Sequence, residues 1–338
     1  MRQLGIVAGC LFLVAAAAVT FIFPFPWTQS AEPKRPPMTE PPRGDRFAED
    51  RAPPETKAVP FDAKRALDYL AELCKLGPRI SGSAGMEKQQ KLLKEHFEKH
   101  GGKVAFQRFE GKQPSQRNAA PMANLIVTWQ PDAKRRVLLC GHYDTRPIAD
   151  QEDRRADWFK PFLSANDGTS TVAFLMELAH HMKDLPTQVG VDFVLFDGEE
   201  WINDPERDKF FLGSRHFADD FKKTPPGHKY LGAVLLDLFA GKGATYPVEA
   251  NSHMMAAELC ESIWATAKEL KVDAFRWEPG PDVLDDHLAL NRVGIPAVDI
   301  IDFSYRHWHR LSDLPENCSA DSFAQVAKVL VTWVQRIK

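Results

Sequence analysis

Val189 to Glu200 reads VGVDFVLFDGEE, an apolar stretch that ends in a group of acidic residues. The first eight residues are rich in Val and Phe, which is typical of a strand buried on both faces. Gly198, Glu199 and Glu200 follow that strand within a predicted turn. In open α/β sheets, ligands bind beyond the carboxyl ends of the strands, so this segment predicts a strand of such a sheet with polar groups at its binding edge.

Three further apolar segments end in the same way. The sequence predicts strands at 136–140, 230–236 and 297–301. His142 lies just beyond the first strand, Asp237 follows the second, and His309 comes after the third. Because the ends of such strands share one edge of a sheet, we expect these distant residues to lie together.

Helical periods alternate with the strands. Helices are predicted at 62–76, 85–100, 167–183, 252–270 and 322–337, with two more strand candidates at 103–109 and 123–129. The alternation predicts an α/β fold, with a single open, mostly parallel twisted sheet that is flanked by helices.

The composition is that of a folded globular protein. The chain has 338 residues, 44% of them apolar and 26% charged, and a net charge of −3 from 43 basic and 46 acidic residues. This balance excludes a disordered chain and argues against a nucleic-acid partner, which would require a basic excess.

The first sixty residues differ from the rest of the chain. Residues 4–23 form an apolar run without a charge, and twenty helical residues span about 30 Å, the thickness of a bilayer core. Residues 1–30 are therefore predicted to be a signal-anchor or a signal peptide, the alternative being a buried core helix. Residues 31–60 are rich in Pro and charge and predict a linker. The domain at 61–338 is expected outside the cytoplasm, membrane-anchored by the N-terminal helix or secreted if that helix is cleaved.

The cysteines of the folded part carry no zinc motif. Cys74, Cys140, Cys260 and Cys318 are scattered without a C-x-x-C pair, which argues against a structural zinc knuckle. An exported location permits disulfides, and the sequence leaves their pairing open.

Each polar residue at the strand ends has an ordinary alternative role. Glu199 and Glu200 could form a solvated acidic turn, Asp167 could be a helix N-cap, and His142 and His309 could lie at the surface. Together they suit a catalytic zinc ion, with one adjacent carboxylate as a ligand and the other as a general base.

Motifs through most of the folded part carry a specific resemblance. They are PRISGSAG (78–85), GHYDT (141–145), SANDGTSTVAFLMELA (164–179), FDGEEW (196–201), LGSRHFA (212–218), LLDLFAG (235–241), DDHLALNRVGIPAV (285–298) and WHRLSD (308–313). The sequence resembles the co-catalytic zinc aminopeptidase family and, within it, the glutaminyl cyclase branch. The resemblance implies cyclisation of an N-terminal glutamine of peptides or proteins to pyroglutamate, with release of ammonia.

The resemblance also implies roles for individual residues. Asp167, Glu200 and His309 would hold one zinc ion, and Glu199 would be the general acid and base. Asp237 and Asp285 would form an acidic pair. The remaining site residues are Trp308, Trp201 and His287 for substrate binding, and His142 as a possible ligand of a second metal.

The number of zinc ions separates two enzymatic hypotheses. All five ligands of a dizinc aminopeptidase have counterparts in this chain, so ligand identity leaves both hypotheses open. Asp285 stands where aminopeptidases usually have Ser, Trp308 where they have Tyr, and Leu236 where they commonly have Asn. Two close carboxylates would share a proton, which would occupy Asp237 and favour one zinc. A non-catalytic binding protein on the same scaffold is a third hypothesis.

Overall fold

The computed structural model describes Met38 and residues 56–338. The predicted membrane segment at 1–30 lies outside these residues, as does most of the predicted linker at 31–60. Within the part that the structure covers, no helix combines the length and apolarity that a bilayer crossing requires.

Within residues 56–338, eight strands form one large sheet and one small sheet. They are β1 (Lys103–Gly111), β2 (Ala120–Trp129), β3 (Arg135–His142), β4 (Gly190–Phe196), β5 (Lys229–Asp237), β6 (Tyr246–Val248), β7 (Phe275–Pro279) and β8 (Ala297–Ile301). The six-stranded sheet has the order β1-β2-β4-β3-β5-β8, and β6 pairs with β7 separately. Strands β4, β3, β5 and β8 form parallel ladders, whereas β2 is antiparallel to both of its neighbours. The predicted open, mostly parallel sheet is confirmed, but the small second sheet was not predicted.

Eight α-helices accompany the strands in the described region. They are α1 (Ala63–Cys74), α2 (Ala84–Lys99), α3 (Thr169–Ala179), α4 (Leu212–Lys223), α5 (Ala250–Met255), α6 (Ala257–Glu269), α7 (His287–Arg292) and α8 (Ala320–Arg336). The single helix predicted at 252–270 is wrong, because the backbone leaves helical geometry at Ala256, with φ −141° and ψ 45°, and separates α5 from α6. Helices α4 and α7 were not predicted.

The large sheet is buried on both faces. Val137 and Leu139 of β3 enter one hydrophobic core, while Leu138 and Cys140 enter the other. Successive side chains of a strand point to opposite faces, so a strand covered on both sides reads as a continuous apolar run. This is why the central strands were predicted from the sequence.

The four cysteines of the domain are buried free thiols, and no disulfide joins any of them: Cys74, Cys140, Cys260 and Cys318. Burial raises the pKa of the Cys74 thiol to about 11. These residues serve as small apolar groups in the core.

Candidate active site

The polar residues predicted at the strand ends meet at the carboxyl edge of the large sheet. His142 is the last residue of β3 and Asp237 is the last residue of β5. Glu199 and Glu200 follow β4, and Asp167 lies just before α3.

Asp167 lies between two histidines. His142 Nε2 is 3.0 Å from Asp167 Oδ1, and His309 Nε2 is 3.7 Å from Asp167 Oδ2. A second carboxylate faces each histidine: Asp237 Oδ1 is 3.4 Å from His142 Nε2, and Glu200 Oε2 is 3.4 Å from His309 Nε2. The site therefore has two halves that share Asp167.

The donor atoms of this group fit a metal ion. Three buried atoms, His142 Nε2, Asp167 Oδ2 and Glu200 Oε2, have no hydrogen-bond partner among the described residues. Ligand atoms of the same three residues lie within 4.8 Å of one another. Burying unpaired polar atoms is costly, and imidazole with carboxylate is a donor set that zinc prefers.

Neighbouring groups hold Asp167 in place. The Asp313 carboxylate accepts hydrogen bonds from the backbone N–H groups of Asn166 (2.9 Å) and Asp167 (3.2 Å) and from the Tyr305 hydroxyl (2.8 Å). Gly168 follows with φ +72°, and a Cβ atom there would lie 2.6 Å from Cε1 of His142. A glycine is thus required both for the backbone conformation and for the approach of the imidazole.

The two adjacent glutamates are fixed through their backbone. Asp144 accepts the N–H of Glu199 at 3.1 Å and the N–H of Glu200 at 3.3 Å. The backbone N–H of Arg146 donates to Glu200 Oε1 at 2.8 Å, which leaves Oε2 facing His309. One oxygen of Glu200 is therefore held by the backbone, and the other is directed towards His309.

Burial changes the proton affinity of both glutamates. Burial, followed by the negative charge of Asp167, raises the pKa of Glu200 to about 7. Burial also raises the pKa of Glu199 well above its usual value, and the charge of Glu200 adds to this effect. Glu199 Oε2 lies 3.9 Å from His142 Nδ1, at the edge of the group. A carboxyl group with a raised pKa is suited to carrying a proton during a reaction.

The sequence analysis missed Asp150 and Arg146. His309 Nδ1 is 3.1 Å from Asp150 Oδ1, and the Arg146 guanidinium donates to both oxygens of Asp150, at 3.0 Å and 2.8 Å. Burial opposes ionisation of Asp150, but His309 and Arg146 together hold its pKa well below the usual value. Such a carboxylate orients an imidazole that binds a metal through its other nitrogen. The sequence signal was position, since Arg146 follows the GHYDT motif directly and Asp150 lies shortly after it.

Asp285 and Asp237 interact electrostatically. Burial, followed by the negative charge of Asp237, raises the pKa of Asp285 well above its usual value. Asp237 Oδ1 accepts the N–H of Leu238 at 2.8 Å, and Asp285 Oδ1 accepts the N–H of Asp286 at 2.6 Å. The shared proton stays a prediction.

The predicted substrate-binding residues lie in different surroundings. Trp308 stacks on His309 with ring centroids 4.1 Å apart, and Phe303, an exposed aromatic residue, packs against it at 5.0 Å. Trp201 is buried, and its carbonyl accepts a hydrogen bond from Gln113. The geometry thus favours Trp308 as the aromatic wall of the site.

His287 is fully buried at the start of α7, where its Nε2 lies 3.3 Å from Glu249 Oε2. Glu249 in turn caps α5 by accepting the backbone N–H groups of Asn251 and Ser252. This contact favours a structural role for His287 over direct contact with a substrate.

Comparisons with known proteins agree with this geometry. The model of peptidase family M28 matches residues 124–334. Glutaminyl-peptide cyclotransferase of Bos taurus is 28% identical over 244 residues, which is 63% of this chain and 65% of that protein, just under two thirds of its length.

Two solved structures cover nearly the whole folded part. The glutaminyl cyclase of Fimbriiglobus ruber is 50% identical, with a TM-score of 0.83 over 86% of this chain and 100% of that chain. A Zn-dependent exopeptidase from Parabacteroides distasonis is 27% identical, with a TM-score of 0.76 over 82% of this chain and 99% of that chain. These similarities confirm the resemblance predicted from the motifs.

Proposed function

The chain belongs to peptidase family M28, and we propose that it is a zinc-dependent glutaminyl cyclase that acts on peptide or protein N-termini. The observation that carries this proposal is the 50% identity to the Fimbriiglobus ruber glutaminyl cyclase over that protein's full length. The buried acid Asp285 beside Asp237 supports it, because the aminopeptidase pattern has Ser at this position.

Asp167, Glu200 and His309 are the residues that would hold one zinc ion per chain. Their facing atoms are Asp167 Oδ2, Glu200 Oε2 and His309 Nε2. A bound zinc ion supplies Lewis-acid polarisation of a carbonyl oxygen. His142 and Asp237 occupy the other half of the site. There Asp237 and Asp285 repel each other when both are charged, which disfavours ionisation of both carboxyl groups.

Glu199 is proposed to move the proton. Its carboxylate accepts a proton from the α-amino group of the substrate glutamine while that nitrogen forms a bond to the side-chain carbonyl carbon. The same proton is then delivered to the leaving amide nitrogen, the C–N bond breaks, and ammonia departs. Nucleophile and electrophile belong to one molecule, so closure of the five-membered ring gains from proximity and needs no activated water. Trp308 provides an apolar wall that positions the glutamine side chain and excludes water.

A dizinc exopeptidase is the second candidate. The observation that favours it is the pairing of His142 and Asp237 on the far side of Asp167, which resembles a second ligand set. A short peptide with N-terminal glutamine separates the two reactions. The cyclase releases ammonia and leaves a peptide lighter by one ammonia, whereas an exopeptidase releases free glutamine.

Glu199→Gln is the matched control for the assay, because it keeps the size and shape of the side chain but cannot carry the proton. We expect ammonia release from the wild type and none above background from the variant. Free glutamine without ammonia from the wild type would overturn the cyclase proposal. Absence of both products, with zinc bound, would instead support the non-catalytic hypothesis.

We also propose that the domain works outside the cytoplasm, as the apolar run at 4–23 with Arg2 before it predicts. Protease treatment of intact and permeabilised cells tests this placement. Digestion of the domain before permeabilisation is the expected result, and protection until permeabilisation would contradict it.

A further inference from the structure

Three histidines form a cluster at the carboxyl-terminal ends of two helices, away from the site described above. His96 lies in the last turn of α2, His100 caps the same helix, and His180 caps α3. The ring centroids are 4.6 Å apart for His96 and His100, 4.1 Å for His100 and His180, and 5.7 Å for His96 and His180. One nitrogen atom from each ring lies within 4.8 Å of the others.

Hydrogen bonds fix one nitrogen of each ring. His96 Nε2–H donates to the carbonyl of Met176, and His100 Nδ1–H donates to the carbonyl of His96, both at 2.8 Å. His180 Nε2 is 2.8 Å from the Tyr69 hydroxyl, whose oxygen can accept a hydrogen bond from the ring N–H. Each imidazole thus keeps a second nitrogen whose lone pair is free to bind a ligand. A hydrogen-bond acceptor behind each ring is the usual support of a metal-ligating histidine.

The electrostatics of the cluster favour neutral imidazoles. Burial, followed by the neighbouring His100 and His180, lowers the pKa of His96 to about 4. Burial likewise lowers the pKa of His180. Metals bind the neutral ring, so these histidines are in the required form at neutral pH.

The location also suits a cation. Helices α2 and α3 both end here, and the carboxyl-terminal end of a helix attracts positive charge. The three side chains are half-buried, which leaves an entry path from solvent. His96 and His100 are four residues apart, a spacing that places both on one face of the helix.

We propose that this cluster binds one divalent transition-metal ion of the zinc class through His96 Nδ1, His100 Nε2 and His180 Nδ1, with water as the fourth ligand. Three imidazoles and one open position form a recognised zinc donor set. The ion joins the ends of α2 and α3, which packing and the hydrogen bond of His96 to the Met176 carbonyl also link. It lies near the opposite end of α3 from Asp167, about 16 Å away for an eleven-residue helix.

Metal content measures the site directly. Untagged full-length protein is stripped with a chelator, dialysed against buffered micromolar Zn²⁺ and analysed for zinc per chain. We expect the wild type to hold one more zinc ion than His100→Gln or His180→Gln. His216→Gln is the matched control, because His216 stacks on Phe109 outside the cluster, and it should match the wild type. Equal zinc content in all four proteins would overturn the proposal.

Two further readouts separate this ion from the catalytic one. Co²⁺ added to the wild type should give the visible absorption of a second nitrogen-rich site, and His100→Gln should lack this component. Zn²⁺ should raise the midpoint of thermal unfolding more in the wild type than in His100→Gln, because a ligand of the folded state stabilises it. His100→Gln should retain ammonia release from the glutamine peptide. Loss of the catalytic zinc in this variant, with the Co²⁺ spectrum unchanged, would count against two independent sites.

Discussion

The two ends of helix α3 both gather metal-type side chains, but they do so with opposite chemistry. The amino-terminal end carries Asp167, which lies within an acidic group whose other members come from strand ends. The carboxyl-terminal end carries His180, within a group of three imidazoles. Anionic groups are favoured at the amino-terminal end of a helix, which suits the carboxylates there. Cations are favoured at the carboxyl-terminal end, which suits a metal ion held by neutral imidazoles.

The means of support differ as well. At the amino-terminal end, the buried carboxylates of Asp144 and Asp313 hold backbone N–H groups in place, and the half-buried Asp150 holds an imidazole. At the carboxyl-terminal end, carbonyl groups and a tyrosine hold the rings. A network of buried charges fixes a reactive geometry at a high cost in desolvation free energy. Neutral hydrogen-bonding groups are enough to hold side chains that only bind a ligand. We therefore expect changes of the charged side chains at the first end to alter catalysis. Changes at the second end should leave catalysis intact and alter only stability and the zinc bound there.

The largest effect is expected from Glu199→Gln. Loss of a general acid and base lowers turnover by about 10²–10⁴-fold, while the zinc content of the catalytic site stays unchanged. His309→Ala removes a ligand and should lose both zinc and turnover. Rates of ammonia release measured beside zinc content test the pair. Loss of the catalytic zinc in Glu199→Gln would show that Glu199, and not Glu200 alone, is a ligand.

Asp150→Asn is expected to weaken zinc binding at the catalytic site, by a smaller factor than the loss of turnover in Glu199→Gln. The amide keeps the shape of the side chain but loses the charge that faces His309 Nδ1 and Arg146. Changes in groups that orient a ligand typically cost about 10–100-fold in metal affinity or activity. Zinc affinity by competition with a chelator measures the effect.

Asp153→Asn is the matched control for Asp150→Asn, because Asp153 is exposed and pairs with Arg310 at 3.3 Å. We expect wild-type affinity from this control. Equal affinity in both variants would mean that His309 is oriented without Asp150. If Asp150→Asn lost the zinc ion proposed at His96, His100 and His180, the two ends of α3 would not be independent.

The sequence predicted the carboxyl edge of the sheet better than its surroundings. The runs at 136–140, 230–236 and 297–301 were found because strands buried on both faces are continuously apolar. The separation of α5 from α6 was not found, since Ala256 is itself a good helix former and only its backbone conformation shows the break.

The same contrast holds within the site. Residues at strand ends, such as Asp237, were predicted because the end of an apolar run marks them. Asp150 and Asp313 lie in loops, where an acidic residue normally suggests solvent. Only the folded chain shows that Asp313 is buried and that the half-buried Asp150 faces His309 and Arg146. His180 is eighty residues from His100, so that cluster depends on the packing of α2 against α3. The four-residue spacing of His96 and His100 was the available signal.

Gly168→Ala tests how tightly His142 is packed at the amino-terminal end of α3. The new Cβ would lie 2.6 Å from Cε1 of His142, and the backbone has φ +72°. Gly243→Ala is the matched control, because it has the same φ of +72° but nothing within 4 Å of its Cβ position. Both variants are destabilised by backbone strain. Gly168→Ala should lose about 1–3 kcal/mol more in unfolding free energy because of the steric clash. Urea denaturation measures the difference, and equal losses would mean that His142 moves aside freely.

The smallest effect is expected at the carboxyl-terminal end of α3, where His96 links stability to pH. Its pKa is lowered to about 4 by burial and by the facing His100, His180 and Lys99, whereas an unfolded histidine has a pKa of about 6.5. Between these values the unfolded chain binds more protons, so the contribution of His96 is fully present above about pH 6.5 and is lost as the pH falls towards 4. Because the ring is partly exposed to solvent, we expect a discounted loss of about 1–2 kcal/mol. The unfolding free energies of wild type and His96→Gln are measured with chelator from pH 7 to pH 4, and their difference should narrow by this amount. If the difference does not depend on pH, the His96 ring is solvated and its pKa is not lowered in the folded chain.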